Sequence, residues 1–501
     1  MNFLSLFVLI PVLMMLGLWV SRNIRQIRIV MAAGASALLA LAVSLVFLYH
    51  GARAGGDTSC MLFTDSRVWY APLNIHYAVG ADGISVFMLL LSAIIVFTGV
   101  FASWRMSMQT KEFFLWYCLL SVGVFGFFIS LDLFTMFMFY EVALIPMYLL
   151  IGVWGSGRKE YSAMKLTLML MGGSAFILMG ILGLYFGSGA VTMNLTEIAE
   201  SGIPLEMQRI FFPLTFIGFG VLGALFPFHT WSPDGHASAP TSVSMLHAGV
   251  LMKLGGYGCF RIAICLMPEA AAEQAWFFLV LTAIGVVYGA FSACVQKDLK
   301  YINAYSSVSH CSLVLFAILM MTQTASTGAI LQMLSHGLMT ALFFALIGMI
   351  YGRTHTRDIR EMSGLMKVMP FLSVCYVIAG LANLGLPGLS GFVAEMTIFV
   401  GSFEVNDVFH RTLTVIATTS IVITAVYILR LIGKILYGEA RVADEAVECG
   451  TTGHLKLADA TWDERFAVIF LIIAIAGLGL APWGISEMIS DSVKSVIVLI
   501  K

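Results

Sequence analysis

Residues 210–258 read IFFPLTFIGFGVLGALFPFHTWSPDGHASAPTSVSMLHAGVLMKLGGYG. An apolar, helix-like run stops at Gly223 and Pro227, a polar stretch with His229, Asp234 and His236 follows, and a second apolar run carries Lys253 near its middle. A soluble protein has no natural place for a broken apolar helix beside one with a buried lysine. In a bilayer, unwound backbone is tolerated where it is enclosed by protein or lines a wet cavity. An ionisable side chain at mid-depth costs at least a few kcal/mol, so it marks a functional site by default. The stretch reads as part of an ion path.

The surrounding chain agrees. Of its 501 residues, 60% are hydrophobic and only 11% charged, with a net charge of −1. A soluble domain of that length needs far more surface charge, and apolar runs long enough to cross a bilayer recur along nearly the whole length. The near-neutral balance gives no sign of a nucleic-acid partner. The run 3–20 lacks a basic flank and a small-residue cleavage site, so it reads as a retained membrane helix. The eight cysteines form no CxxC or Cys–His spacing and sit mostly in apolar segments, where a thiol packs as a small hydrophobe. No metal-ligand pattern, Gly-rich phosphate loop or dinucleotide fingerprint is present, so any redox cofactor belongs to another chain.

The expected fold is an all-α polytopic membrane protein of about fourteen spans: 3–20, 28–48, 83–103, 113–131, 134–152, 161–186, 210–226, 244–267, 275–295, 302–321, 329–352, 369–400, 411–436 and 467–490. Lysine and arginine gather in every second loop: Arg22, Arg25 and Arg28; Arg105 and Lys111; Arg158 and Lys159; Lys297 and Lys300; Arg353, Arg357, Arg360 and Lys367. By the positive-inside rule this places both termini on the non-cytoplasmic side of the membrane. Two spans are interrupted, the seventh at Pro227 and the twelfth at Pro387 within LANLGLPGLSGFVAE. They lie five spans apart, and an odd offset turns one unit upside down relative to the other. Paired broken helices are the pointer to inverted-repeat transporters. The expected units are therefore 1–112 (helices 1–3), 113–267 (a first repeat, helices 4–8), 275–436 (a second, inverted repeat, helices 9–13) and 437–501 (a loop and helix 14).

Five ionisable groups lie inside spans: Glu141, Lys253, His310, His336 and Glu395. Glu141 stands in an otherwise uncharged span just before Pro146, and Glu395 follows the second break by two turns. A carboxylate here can also be a protonated structural group, a lysine can be held by a fixed anion, and a lone histidine often only packs. Strung along successive core helices, however, such groups form a row through which protonation at one site biases the next. Lys165 lies about two turns into span 6, where snorkelling competes with function. His229, Asp234 and His236 either line a cytoplasmic entrance or cap helices.

With these residues in hand, FPFHTWSPDGHASAPT, HAGVLMKLGGYG, DLKYINAYSSVSH, LSHGL, the stretch His355–Asp358 and LGLPGLSGFVAE resemble the antiporter-like membrane subunits of respiratory complex I, NADH:quinone oxidoreductase. The resemblance runs from about residue 80 to 440. Glutamate at 395 resembles the M, or chain 4, type; related L, N and antiporter subunits usually carry lysine there. It implies a proton-translocating subunit with no active site of its own, with Glu141, Lys253, His310, His336 and Glu395 on the path. It also implies that NADH, FMN, iron–sulfur clusters and quinone belong to partner subunits, and that L-type and N-type subunits are neighbours in the membrane arm. One position departs from the pattern. The family usually has a lysine five residues ahead of the first-break proline, paired with the span-5 glutamate, and here that position is Leu222. Lys165 is the expected substitute partner for Glu141. The competing readings are a secondary cation/proton antiporter subunit and an inert scaffold.

Overall fold

The computed structural model describes residues 2–106, 108–189, 192–442 and 457–498, the side chains of 497 and 498 excepted. Its helices follow from one constraint: lipid offers no hydrogen bonds, so the backbone must satisfy its own. The amino-terminal half comprises α1 (Leu6–Val20), α2 (Ile24–Ala54), α3 (Gly83–Ala102), α4 (Thr110–Ile129), α5 (Leu133–Trp154), α6 (Lys159–Gly187), the short α7 (Leu195–Ser201) and α8 (Leu205–Leu222). After the first break come α9 (Trp231–Ser238), α10 (Thr241–Leu246) and α11 (Met252–Gly258). The carboxyl-terminal half comprises α12 (Pro268–Val295), α13 (Leu299–Leu319), α14 (Gln323–Thr354), the one-turn α15 (Leu365–Val368), α16 (Pro370–Asn383), α17 (Ser390–Phe403), α18 (Val408–Leu436), α19 (Trp462–Leu480) and α20 (Trp483–Val498). Polar residues at the span boundaries start these helices. Asp82, Asp132, Asp298 and Thr322 each accept a bond from a first-turn backbone N–H, satisfying donors that would otherwise be orphaned.

Among the described residues, eleven helices are long and apolar enough to cross a bilayer, and a twelfth results if α19 and α20 are joined. The expected eighth span is not a single α-helix, and the twelfth is interrupted where the sequence placed its break. α10 and α11 belong to one helical stretch containing two π turns, His247–Leu251 and Cys259–Ile264. α16 and α17 are separated by a break in which Gly385 and Gly388 adopt positive φ. The expected last span, 467–490, is bent: α20 turns 72° from α19 across Ala481 and Pro482. The all-α expectation also omitted a hairpin, β1 (Leu62–Tyr70) paired antiparallel with β2 (Ile75–Ala81), set ahead of α3. Seven cysteines are free thiols; Cys449, with residues 443–456 of the expected carboxyl-terminal loop, lies outside the described residues.

The loops sort to two ends. At one end Arg357 pairs with Asp298 at 3.1 Å and donates to Ala237 O at 2.7 Å, Lys300 donates to Ala239 O, and Arg353 and Arg105 hold Glu464 and Asp463. The basic loops singled out in the sequence thus meet on one face of the bundle. The opposite end holds the hairpin, the Arg209–Glu273 pair and the bonds from Gln323 and Tyr49 to α20.

Candidate functional site

Small residues bring the polar helices together. A Cβ at Gly255 would collide with the backbone of Phe219 and Gly223, so α11 lies directly on the end of α8 at the first break. A Cβ at Gly337 would stand 2.6 Å from Gly249 O, so α14 packs backbone to backbone against the π turn ahead of Lys253. Adding a methyl at such contacts forces backbone shifts. The result of this close packing is that Lys253 meets His336.

The Lys253 ammonium donates to Ala248 O and, over 2.7 Å, to His336 Nδ1. π turns arise where a helix gains one residue and leaves a carbonyl loosely held; here the turn His247–Leu251 supplies the carbonyl that Lys253 uses. Among the described residues His336 Nε2 has no partner, and the His336 ring centroid lies 5.2 Å from that of His310. His310 accepts at Nδ1 from the Gln332 amide over 3.0 Å and donates from Nε2 to Asn383 Oδ1 over 2.7 Å. Its Nδ1 stands 3.5 Å from Glu395 Oε1. The Glu395 carboxylate rests on the second break: a Cβ at Gly385, where φ is +72°, would be 3.0 Å from Oε2. Only a residue without Cβ fits both that backbone and that carboxylate. Lys253, His336, His310 and Glu395 therefore form one buried row drawn from four elements. Asn383 continues it to Ser306, which accepts from Tyr427 at 2.7 Å.

Toward the basic end, the His236 and His247 rings pack at a tilt with centroids 4.2 Å apart. His236 Nε2 lies 3.4 Å from the sulfur of Met252, the neighbour of Lys253. Both rings are almost completely buried, and three of their four nitrogens lack partners. His229 also has two unpartnered nitrogens and packs on Phe226 and Tyr288. Asp234 accepts from Lys165 at 2.7 Å and from the Tyr301 hydroxyl at 2.8 Å, near the mouth of the bundle.

That pairing corrects one expectation. Lys165 is committed to Asp234, and no basic group lies within ion-pair distance of Glu141 among the described residues. Glu141 sits half-buried on the outward stripe of α5 with Met138, Ile145 and Tyr148, its Oε1 unpartnered, while Leu222 is fully buried. The reason is helical position: Lys165 lies only two turns from the start of α6, level with α9, whereas Glu141 lies two turns from the opposite end of α5.

Several polar groups escaped the sequence reading. His247 falls inside the quoted HAGVLMKLGGYG, six residues before Lys253, and that proximity was a usable signal. Gln332 and Asn383 are neutral amides with no charge to betray them. Asp82 and Arg261 form a buried ion pair near the end opposite the basic loops. Lys300, read as a loop cation, is buried.

The NADH:quinone oxidoreductase/Mrp antiporter, TM family matches residues 130–424. The chain belongs to this family, in its M, or chain 4, branch. It is 35% identical over 434 residues to the NAD(P)H-quinone oxidoreductase chain 4 2 of Microcystis aeruginosa, covering 83% of this chain and 78% of that one. It is 34% identical to the chain 4 1 of a Synechococcus strain, covering 96% and 89%. Among solved structures it superposes on a chain of respiratory complex I from Thermus thermophilus with bound NADH (TM-score 0.89, 25% identity, 99% and 100% covered). It also shares its fold with a chain of the Mrp complex from Dietzia (TM-score 0.83, 19% identity, 99% and 97% covered).

Proposed function

We propose that this chain is a proton-translocating membrane-arm subunit of an NADH:quinone oxidoreductase, driven by quinone reduction elsewhere in the complex. The single observation that carries this reading is the continuous buried row Lys253–His336–His310–Glu395. Its chemistry is transfer between near neighbours. The Lys253 ammonium gives its proton to His336 Nδ1, and His336 releases the one on Nε2 toward His310. His310 and Glu395 then share a proton across the 3.5 Å gap. Each charge crossing the membrane is worth about 2.3 kcal/mol per 100 mV, so uphill transfer needs the partner subunits' redox energy. The His236–His247 pair lies between the Asp234 mouth and Lys253 and supports an entrance on that side.

The rest of the reading follows from this. The basic loop end faces the cytoplasm and both termini face away, as their charge supports. The two helix breaks, five spans apart, support fourteen spans in two inverted repeats, 113–267 and 275–436. NADH, FMN, iron–sulfur clusters and quinone are held by neighbouring subunits, and L-type and N-type chains flank this one in a bacterial inner membrane. The chain contributes proton transfer and no redox active site. The test is replacement of Lys253 by Met in the assembled complex: protons moved per quinone reduced should fall while assembly persists, and an unchanged ratio would overturn the reading.

A further inference from the structure

The Asp82–Arg261 pair takes no part in the row just described, yet both side chains are almost fully buried, at 1% and 2% exposure. Asp82 caps α3, accepting from Ser85 N at 2.9 Å through Oδ1 and from the Arg261 guanidinium through Oδ2. Arg261 lies over the Tyr257 ring at 5.3 Å, and the Tyr257 hydroxyl is 2.8 Å from Ser85 Oγ. Among the described residues, the Arg261 Nε has no partner. On the far side lies a cavity of about 110 Å³ lined by Arg261, Cys265, Cys60, Thr196 and Glu200. Along this helical stretch Lys253, Tyr257, Arg261 and Cys265 follow in order, so Arg261 lies between the cavity-lining Cys265 and the lysine. A buried pair of this kind adds little stability over apolar residues of the same size. A fixed guanidinium across a narrow path, by contrast, repels hydronium. The second π turn, Cys259–Ile264, carries Arg261 itself.

We propose that the Asp82–Arg261 pair is the outer seal of the polar row, a paired charge that keeps protons of the outer cavity from leaking back to Lys253. The proposal rests on the reading that the row carries protons, but its test does not depend on pumping. Three native thiols report on it: Cys60 and Cys265 line the cavity, and Cys311 lies 3.9 Å from His336 Nδ1, inside the seal. Silver ion, a thiol-reactive monovalent cation, is applied to the outer face of vesicles holding the assembled complex. Each thiol is then read by its protection from later alkylation, using peptide mass spectrometry.

The expected result is protection of Cys60 and Cys265 with Cys311 untouched. The double variant Asp82→Asn with Arg261→Gln removes both charges together, so neither is left buried and unpaired. It should speed Cys311 protection roughly tenfold or more and raise passive proton leak while quinone reduction continues. Arg261→Lys, which preserves the charge, should hold the seal. The proposal is overturned if Cys311 reacts as fast as Cys265 in the unmodified protein, or if the double variant changes neither Cys311 protection nor leak. Pumping lost in a Lys253→Met variant, or retained there, reports on the row alone and leaves this outcome independent.

Discussion

Changing Glu395 to glutamine removes one charge and almost no volume, so its effect isolates the proton step at the end of the row. Glu395 Oε1 and His310 Nδ1 are 3.5 Å apart. At an effective dielectric near 20, unit charges at that separation attract by about 5 kcal/mol. At about 1.4 kcal/mol per decade, that is more than roughly three decades in the population of the charge-separated state. Glutamine should therefore stop transfer through this pair, with assembly retained. Aspartate gives an intermediate. Its shorter side chain withdraws the carboxylate by about 1.5 Å, leaving roughly 3.3 kcal/mol of attraction. The lost 1.4 kcal/mol or so predicts about a tenfold slower step. The assay is protons moved per quinone reduced in vesicles of the parent complex, alongside the quinone reduction rate. A glutamine variant that pumps at the unmodified ratio, or an aspartate variant worse than glutamine, would refute the reasoning.

Other perturbations test neighbouring parts. Gly385→Ala puts a side chain at φ +72° and against the Glu395 carboxylate; with strain of about 1–2 kcal/mol, it should lower both stability and pumping, read by thermal unfolding and by the proton ratio. Lys165→Met and Asp234→Asn break the same ion pair, so their double variant should be no worse than either single one, whereas Lys165→Met with Glu141→Gln should be additive, as sites without direct contact are. His247→Phe keeps a ring packed against His236 but removes the proton-carrying nitrogens, and should slow proton delivery while assembly, checked by native electrophoresis, stays normal. Gly255→Ala drives α11 off the end of α8 at a cost of about 1–3 kcal/mol, seen as a lower yield of assembled complex.

What the sequence disclosed, and what it hid, follows from which residues announce themselves. Glu141, Lys253 and Glu395 stand out because charge in an apolar run is expensive, and the two breaks because glycine and proline interrupt otherwise regular helices. His310 and His336 were legible for the same reason, and the structure puts them in one row. The π turns were not: an added residue per turn depends on how Gly249 and Gly337 meet across two helices, which no local pattern records. Asp82 and Arg261 stand 179 positions apart, and only the fold shows that they meet. The hairpin stayed hidden because its strands, LFTDSRVWY and IHYAVGA, carry no regular alternation of polar and apolar residues. The Lys165–Glu141 pairing failed because spans 5 and 6 run antiparallel, so a lysine two turns into one is at the other end from a glutamate two turns into the next.

The measurement closest to the central claim is a map of the assembled membrane arm resolved well enough to place individual waters. Ordered waters should reach the unpartnered His336 Nε2 and link it to His310, and should join His247 to Lys253. Rings in dry apolar contact, with Lys253 and Glu395 in separate pockets, would contradict it.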